Sequence, residues 1–179
     1  LFRSNPIAEL LDDLGLFGAR SHEKFVPDEV FRLPKQQISL FLRHLWSTDG
    51  SVTVDASQRG GRIYYASTSR RMVDDVARLL LRFGISARLR TTRGTGDRDG
   101  YTLDVSGADD QRRFLQEIGV HGARGDAADR LLRIVLTTRT NPNVDTVPRQ
   151  VWGDVRELLV QRGMPHREFA SAMDTQFGG

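Results

Sequence analysis

Between residues 36 and 119 the spacing of apolar side chains switches back and forth between a helical and a strand period, and this limits the fold more than any other feature. Residues 36–47 repeat at helical spacing. Ile38, Leu40, Phe41, Leu42, Leu45 and Trp46 make a stripe wide enough to be buried on more than one side. That helix stops at Asp49-Gly50. Residues 51–55 and 62–67 then alternate apolar with polar around a Gly60-Gly61 turn, as two half-buried strands do. Residues 69–83 return to helical spacing, with Met72, Val73, Val76, Leu79, Leu80 and Phe83 on one face and Gly84 as the stop. A second strand pair is expected at 86–92 and 100–106, joined by an Arg- and Gly-rich loop at 93–99. A further helix at 109–118 ends at Gly119. The order α-β-β-α-β-β-α predicts an α+β fold: a curved antiparallel or mixed sheet with helices on one face.

The flanks read as helices. Residues 7–16 are periodic and stop near Gly15, and residues 18–27 form a polar connector ending in Pro27. Beyond Gly119, helices are expected at 127–136, 149–162 and 166–173, with a loop at 140–148. Gly163-Met164-Pro165 joins the last two, which resemble the start of a helix-turn-helix without its recognition helix. Residues 7–20 (IAELLDDLGLFGAR) and 111–124 (QRRFLQEIGVHGAR) repeat one another most closely where LGLFGAR faces IGVHGAR. Residues 1–35 are therefore expected to be the end of a first, truncated repeat and a linker, 36–138 a complete repeat, and 139–179 a C-terminal helical segment.

Composition removes several classes of function. With 39% hydrophobic and 27% charged residues, the chain is expected to fold. No apolar run approaches the roughly 18 residues of a membrane span. The chain has no cysteine, which excludes disulfides, thiolate metal sites and a cysteine nucleophile, and a reducing, cytoplasmic setting is expected. All 26 basic residues except Lys24 and Lys35 are arginines, the side chain suited to phosphate and guanine contact.

Residues 41–52 (FLRHLWSTDGSV) resemble the signature of the LAGLIDADG, or DOD-type, homing endonucleases, with Leu42, Leu45, Asp49 and Gly50 at matching positions. Residues 22–30 (HEKFVPDEV) resemble the linker before the second motif in intein-borne members. Residues 141–148 (NPNVDTVP) resemble inteins carried in actinobacterial replicative DNA helicases. The resemblance implies two motif helices packed side by side, each ending in a carboxylate that binds a divalent metal such as Mg²⁺ for hydrolysis of double-stranded DNA. Asp49, with Gly50, matches the metal-binding end. Lys24 matches a basic residue beside the active site, and Arg124 and Arg130 are candidate charge stabilisers. Arg62 and Tyr64 on one strand, Arg88 and Arg90 on another, and Arg93 in the loop are the candidate DNA contacts. A carboxylate at a helix C-terminus gains nothing from the helix dipole, so a cation near Asp49 is expected.

The chain departs from the pattern at His44, where the family usually has glycine, at Arg43, where a small residue is common, and at Ser47, which replaces a frequent acid. Only one motif is present. Leu42, Leu45 and Trp46 are thus expected to lack an internal repeat to pack on. A homodimer or a separate first half would supply it, with weak or absent cleavage by this chain alone. Leu1 is no splicing nucleophile and the chain does not close on His-Asn, so splicing is not expected of these residues. A second reading is a non-catalytic DNA-binding regulator that joins a degenerate LAGLIDADG domain to a helix-turn-helix.

Overall fold

The computed structural model describes residues 5–93, 99–138 and 151–173, which divide into two units, Leu1–Thr140 and Asn141–Gly179. In the first unit, strands β1 (Gly50–Val54), β2 (Gly61–Ser67), β3 (Ala87–Thr92) and β4 (Gly100–Val105) form one sheet in the order β1-β2-β4-β3. Every neighbouring pair is antiparallel, which resolves the expected choice between mixed and antiparallel. Alternation decides the faces. Val52, Ile63, Tyr65, Leu103 and Val105 point into the core, while Thr53, Arg62, Ala66, Arg88 and Arg90 point out and are exposed.

The helices of this unit are α1 (Pro6–Asp13), α2 (Asp28–Phe31), α3 (Lys35–Thr48), α4 (Arg70–Leu81), α5 (Ala108–Arg113) and α6 (Gly125–Thr137). On α3, Ile38, Leu42 and Trp46 recur every fourth residue and are fully buried. Trp46 meets Phe114 and Tyr65 at ring-centroid distances of 4.8 and 5.6 Å. The expectation that Leu42, Leu45 and Trp46 need a second repeat to pack on is therefore corrected: the sheet and the helices around it bury Leu42 and Trp46 and partly bury Leu45. Each such side chain contributes about 1.5–3 kcal/mol of burial. The other face of α3, with Gln37, Leu40, His44 and Thr48, is exposed.

Residues 18–27 are more than a connector. The Ser69 hydroxyl caps α4, accepting from the Met72 N–H at 3.1 Å, and donates to the Lys24 carbonyl at 2.6 Å. The Val26 N–H donates to the buried Asp75 carboxylate at 3.2 Å, and Val26 itself lies in the core. The strap is thus held to α4 at two points.

The helix expected at 109–118 divides in two. After α5 the backbone widens into a π-helical turn, Phe114–Ile118, which closes where the Gly119 N–H donates to the Phe114 carbonyl at 2.8 Å. That turn aims two carbonyls at α3. Ser39 Oγ donates to the Glu117 carbonyl at 2.5 Å, and Arg43 Nε donates to the Ile118 carbonyl at 2.6 Å.

The glycines that align between residues 7–20 and 111–124 share one backbone feature. Gly15 and Gly119 have φ of +69° and +67°, and Gly18 and Gly122 have +76° and +67°. All four adopt the left-handed region that glycine enters without steric cost. The second unit, described by itself, contains α7 (Val151–Arg162) and α8 (His166–Ala172), with Gly163 and Pro165 between them. The NPNVDTVP segment and most of the 93–99 loop lie outside the described residues. Among the described residues no helix is long and apolar enough to cross a membrane.

Candidate functional site

Asp49 is the C-cap of α3, and its backbone N–H still donates to the Leu45 carbonyl at 2.9 Å. Its carboxylate is exposed. The chain then turns directly into β1 at Gly50. A Cβ on Gly50 would lie 2.8 Å from Trp46 Cα and closer still to its indole, so only glycine permits this turn. A cation lies at the end of α3, on its carbonyls. Arg124 donates through Nη1 to the Ser47 carbonyl and through Nη2 to the Thr48 carbonyl at 3.1 Å, satisfying two free carbonyls of the last turn. Arg130 is exposed on α6, and it is Arg124 that supplies these bonds.

Tyr65 pairs with Gly50 across β1 and β2. Burial, and then the negative charge of Asp49, push the Tyr65 hydroxyl up to about 12, against a hydrogen bond with Ser67 that pulls it down. Asp49 therefore sits where its charge is felt by the core at the top of the sheet. Lys24 is exposed, and its carbonyl is fixed to Ser69, just beyond the end of β2. Register brings Asp49 and Lys24 to the same end of the sheet. No hydrogen bond joins them among the described residues.

The bulky residues of the motif are tied down. Arg43 reaches the Ile118 carbonyl. His44 Nδ1 lies 3.0 Å from His121 Nε2, with the two rings edge to face. The His121 N–H donates to Ser47 Oγ at 2.9 Å, and Ser47 Oγ donates to the Arg43 carbonyl at 2.7 Å. Ser47 thus links the motif helix to the loop that carries Arg124.

The outer sheet face brings Arg62, Tyr64, Arg88 and Arg90 together, as the strand alternation predicts, and Arg93 is exposed just past β3. Sequence reasoning missed Asp104. It lies between Tyr64 on β2 and Arg88 on β3, directly across from each, and is buried. Its Oδ1 accepts from Arg62 Nη2 at 2.6 Å, and its Oδ2 is 3.3 Å from Arg90 Nε. The Arg62 guanidinium also stacks over the Tyr64 ring at 4.9 Å, and the Asp104 hydrogen bond raises its pKa further. The signal was available in principle: Leu103-Asp104-Val105 puts a carboxylate on the same face as the arginines.

Residues 36–119 match the family described as LAGLIDADG-like domain. The replicative DNA helicase DnaB of Rhodothermus marinus is 43% identical over 99% of this chain and 19% of its own length. The replicative DNA helicase DnaB of Synechocystis is 39% identical over 84% of this chain and 18% of its own length. The replication factor C small subunit of Thermococcus kodakarensis is 30% identical over 78% of this chain and 14% of its own length. The chain thus spans about a fifth or less of the length of these curated relatives.

Proposed function

We propose, from the premise that residues 36–119 are a LAGLIDADG-like domain, that the chain is part of an intein-type homing endonuclease carried within a replicative DNA helicase. LAGLIDADG-like domains belong to a family of DNA-binding nucleases. The observation that carries the reading for this chain is the end of α3. An exposed carboxylate, Asp49, closes the motif helix, and Arg124 is fixed on the two preceding carbonyls. Beside it, a sheet face bearing Arg62, Tyr64, Arg88 and Arg90 is open to a duplex.

The residues fit half of a divalent-metal site. Among the described residues no group of three or more His, Cys, Asp or Glu side chains could enclose an ion. A single exposed carboxylate suits Mg²⁺, which keeps several waters and takes few protein ligands. Asp49, with the Gly50 backbone, would hold the ion. When bound, it supplies an activated water and stabilises the leaving oxygen. Lys24, held at the same end of the sheet, would neutralise charge that develops on the phosphate. The second carboxylate would come from a second motif helix on the exposed face formed by Gln37, Leu40, His44 and Thr48. The chain alone is expected to bind double-stranded DNA and to cleave both strands weakly or not at all.

The test is a supercoiled plasmid carrying the uninterrupted helicase-gene sequence at the insertion point, with Mg²⁺ present. Binding is expected, with little linear product, and any nicking should vanish in Asp49→Asn while affinity persists. Nicking that survives Asp49→Asn, or an absence of duplex binding, would reject the reading.

One observation favours a second reading, a DNA-binding protein without catalysis. Arg43, His44 and Ser47 are engaged by residues 118–124, where the family pattern has small or acidic residues. Sequence-selective binding with no strand scission at any divalent-metal concentration would support it.

A further inference from the structure

Asp104 is an unusual residue for the middle of an outward-facing surface. It occupies an inner strand, on the face opposite the core, yet its side chain is only 6% exposed. Arg62 and Arg90 cover it from opposite diagonals, and their own side chains are 56% and 57% exposed. One guanidinium hydrogen-bonds Oδ1. The other comes within ion-pair distance of Oδ2, which has no hydrogen-bond donor among the described residues. A buried carboxylate is stable only when cations pair with it, so Asp104 and the two arginines form one unit. On a surface that needed only to attract phosphates, a central anion would weaken binding. Its presence calls for a different purpose.

Asp104 lies too deep to meet a base itself, because the guanidiniums lie over it. The exposed parts of the unit are the arginine forks. An arginine fork reads guanine through O6 and N7 when its plane is fixed, and a mobile arginine settles on phosphate. Arg62 is fixed twice, by Asp104 below and by the Tyr64 ring beside it.

We propose that Asp104 is a positioning residue that holds Arg62 and Arg90 as guanine-reading forks, so that this sheet reads sequence in the major groove and does more than attract the duplex. The inference rests on the reading that the outer sheet face meets DNA. It adds a specificity determinant that touches no base.

The experiment is selection of the full chain against a random-sequence duplex DNA library, followed by the same selection with Asp104→Asn. The wild-type chain is expected to enrich a motif with at least two required guanines. Asp104→Asn should still bind duplex DNA but lose preference at those guanines by about tenfold. Asp104→Glu should restore part of that preference, which a purely structural role would not predict. Circular dichroism and a thermal melt establish that the variants fold. Should Asp104→Asn not fold, the Arg62→Lys/Arg90→Lys double variant keeps both charges, lacks both forks and carries the same expectation. A motif that Asp104→Asn, or the double variant, selects as sharply as wild type overturns the inference alone. A wild-type chain that binds no duplex overturns the DNA-facing reading, and the inference with it.

Discussion

Arg124 donates a hydrogen bond to the carbonyl oxygen of Thr48 at 3.1 Å, across a sequence separation of 76 residues. This bond and its neighbour at Ser47 bind the end of the motif helix to the turn after the π-helical segment. Replacing Arg124 with Met keeps most of the stem and removes both donors. Urea unfolding should show a loss of about 1–3 kcal/mol. Arg124→Lys should fall between the two, since one ammonium cannot serve both carbonyls with a planar fork. Equal stability of Arg124→Met and wild type would show that solvent satisfies those carbonyls as well as the guanidinium does.

Gly50→Ala should be among the most damaging single-methyl additions in the chain. The new Cβ would press on the Trp46 backbone and ring, neither of which can retreat from the core. Overpacking of this kind costs about 1–3 kcal/mol. Denaturant titration followed by tryptophan fluorescence measures it, and an unchanged midpoint would contradict the described turn.

Ser69→Ala removes the cap of α4 and the donor to the Lys24 carbonyl together. Loss of a cap alone costs about 1 kcal/mol, and the freed carbonyl adds to it. Hydrogen exchange should rise at Val26 as well as at Met72, because the strap loses one of its two fixings. Faster exchange confined to α4 would separate the two roles.

Tyr65 sets an alkaline limit. Its hydroxyl is held up at about 12 in the folded chain, against an ordinary value of 10.0. Above pH 10 the unfolded chain loses this proton while the folded chain keeps it, so unfolding is favoured. The stability that Tyr65 contributes is complete below pH 10 and is lost as pH rises toward 12. Tyr65→Phe should flatten part of the fall in melting temperature across that window. Asp49→Asn, by removing a negative charge, should bring the Tyr65 titration down. A Tyr65 titration that does not move in Asp49→Asn would place the carboxylate farther from the ring.

Self-association through α3 should be weak. The exposed stripe offers Leu40 as its one large apolar side chain, flanked by Gln37, His44 and Thr48. Sedimentation at rising concentration should show monomer with a minor dimer, and Leu40→Arg should remove the dimer. A tight dimer that survives Leu40→Arg would assign association to another surface.

The strands and the three main helices of residues 36–119 could be read from periodicity, because each element has one buried face. What periodicity cannot supply is the partner of that face. The α3 stripe is too broad for one neighbour when read from sequence, and Leu42, Leu45 and Trp46 then read as the seat of a second motif helix. In the structure the stripe divides, with Ile38, Leu42 and Trp46 buried, Phe41 and Leu45 half-buried beside them, and Leu40 exposed. The π-helical turn was invisible for a related reason: a one-residue widening of the backbone leaves the side-chain pattern of 109–118 almost unchanged. The Asp49 end and the arginine face were legible from single strands and a single helix. Asp104 was not, because its pairing with Arg62 and Arg90 depends on the register of three strands. Arg124 was legible as a basic residue in a repeat, and its contact with α3 only in three dimensions.

The paired glycine turns carry a consequence of a different kind. Gly15 and Gly18 share the positive φ of Gly119 and Gly122, while Phe17 stands in the sequence where His121 does. The sign of φ is shared at these glycines, and the side chains between them differ. Arg20 aligns in sequence with Arg124, which grips the end of α3. The same glycine spacing thus precedes one arginine whose guanidinium holds a helix end and one whose backbone N–H donates to Glu23 Oε2 at 2.8 Å.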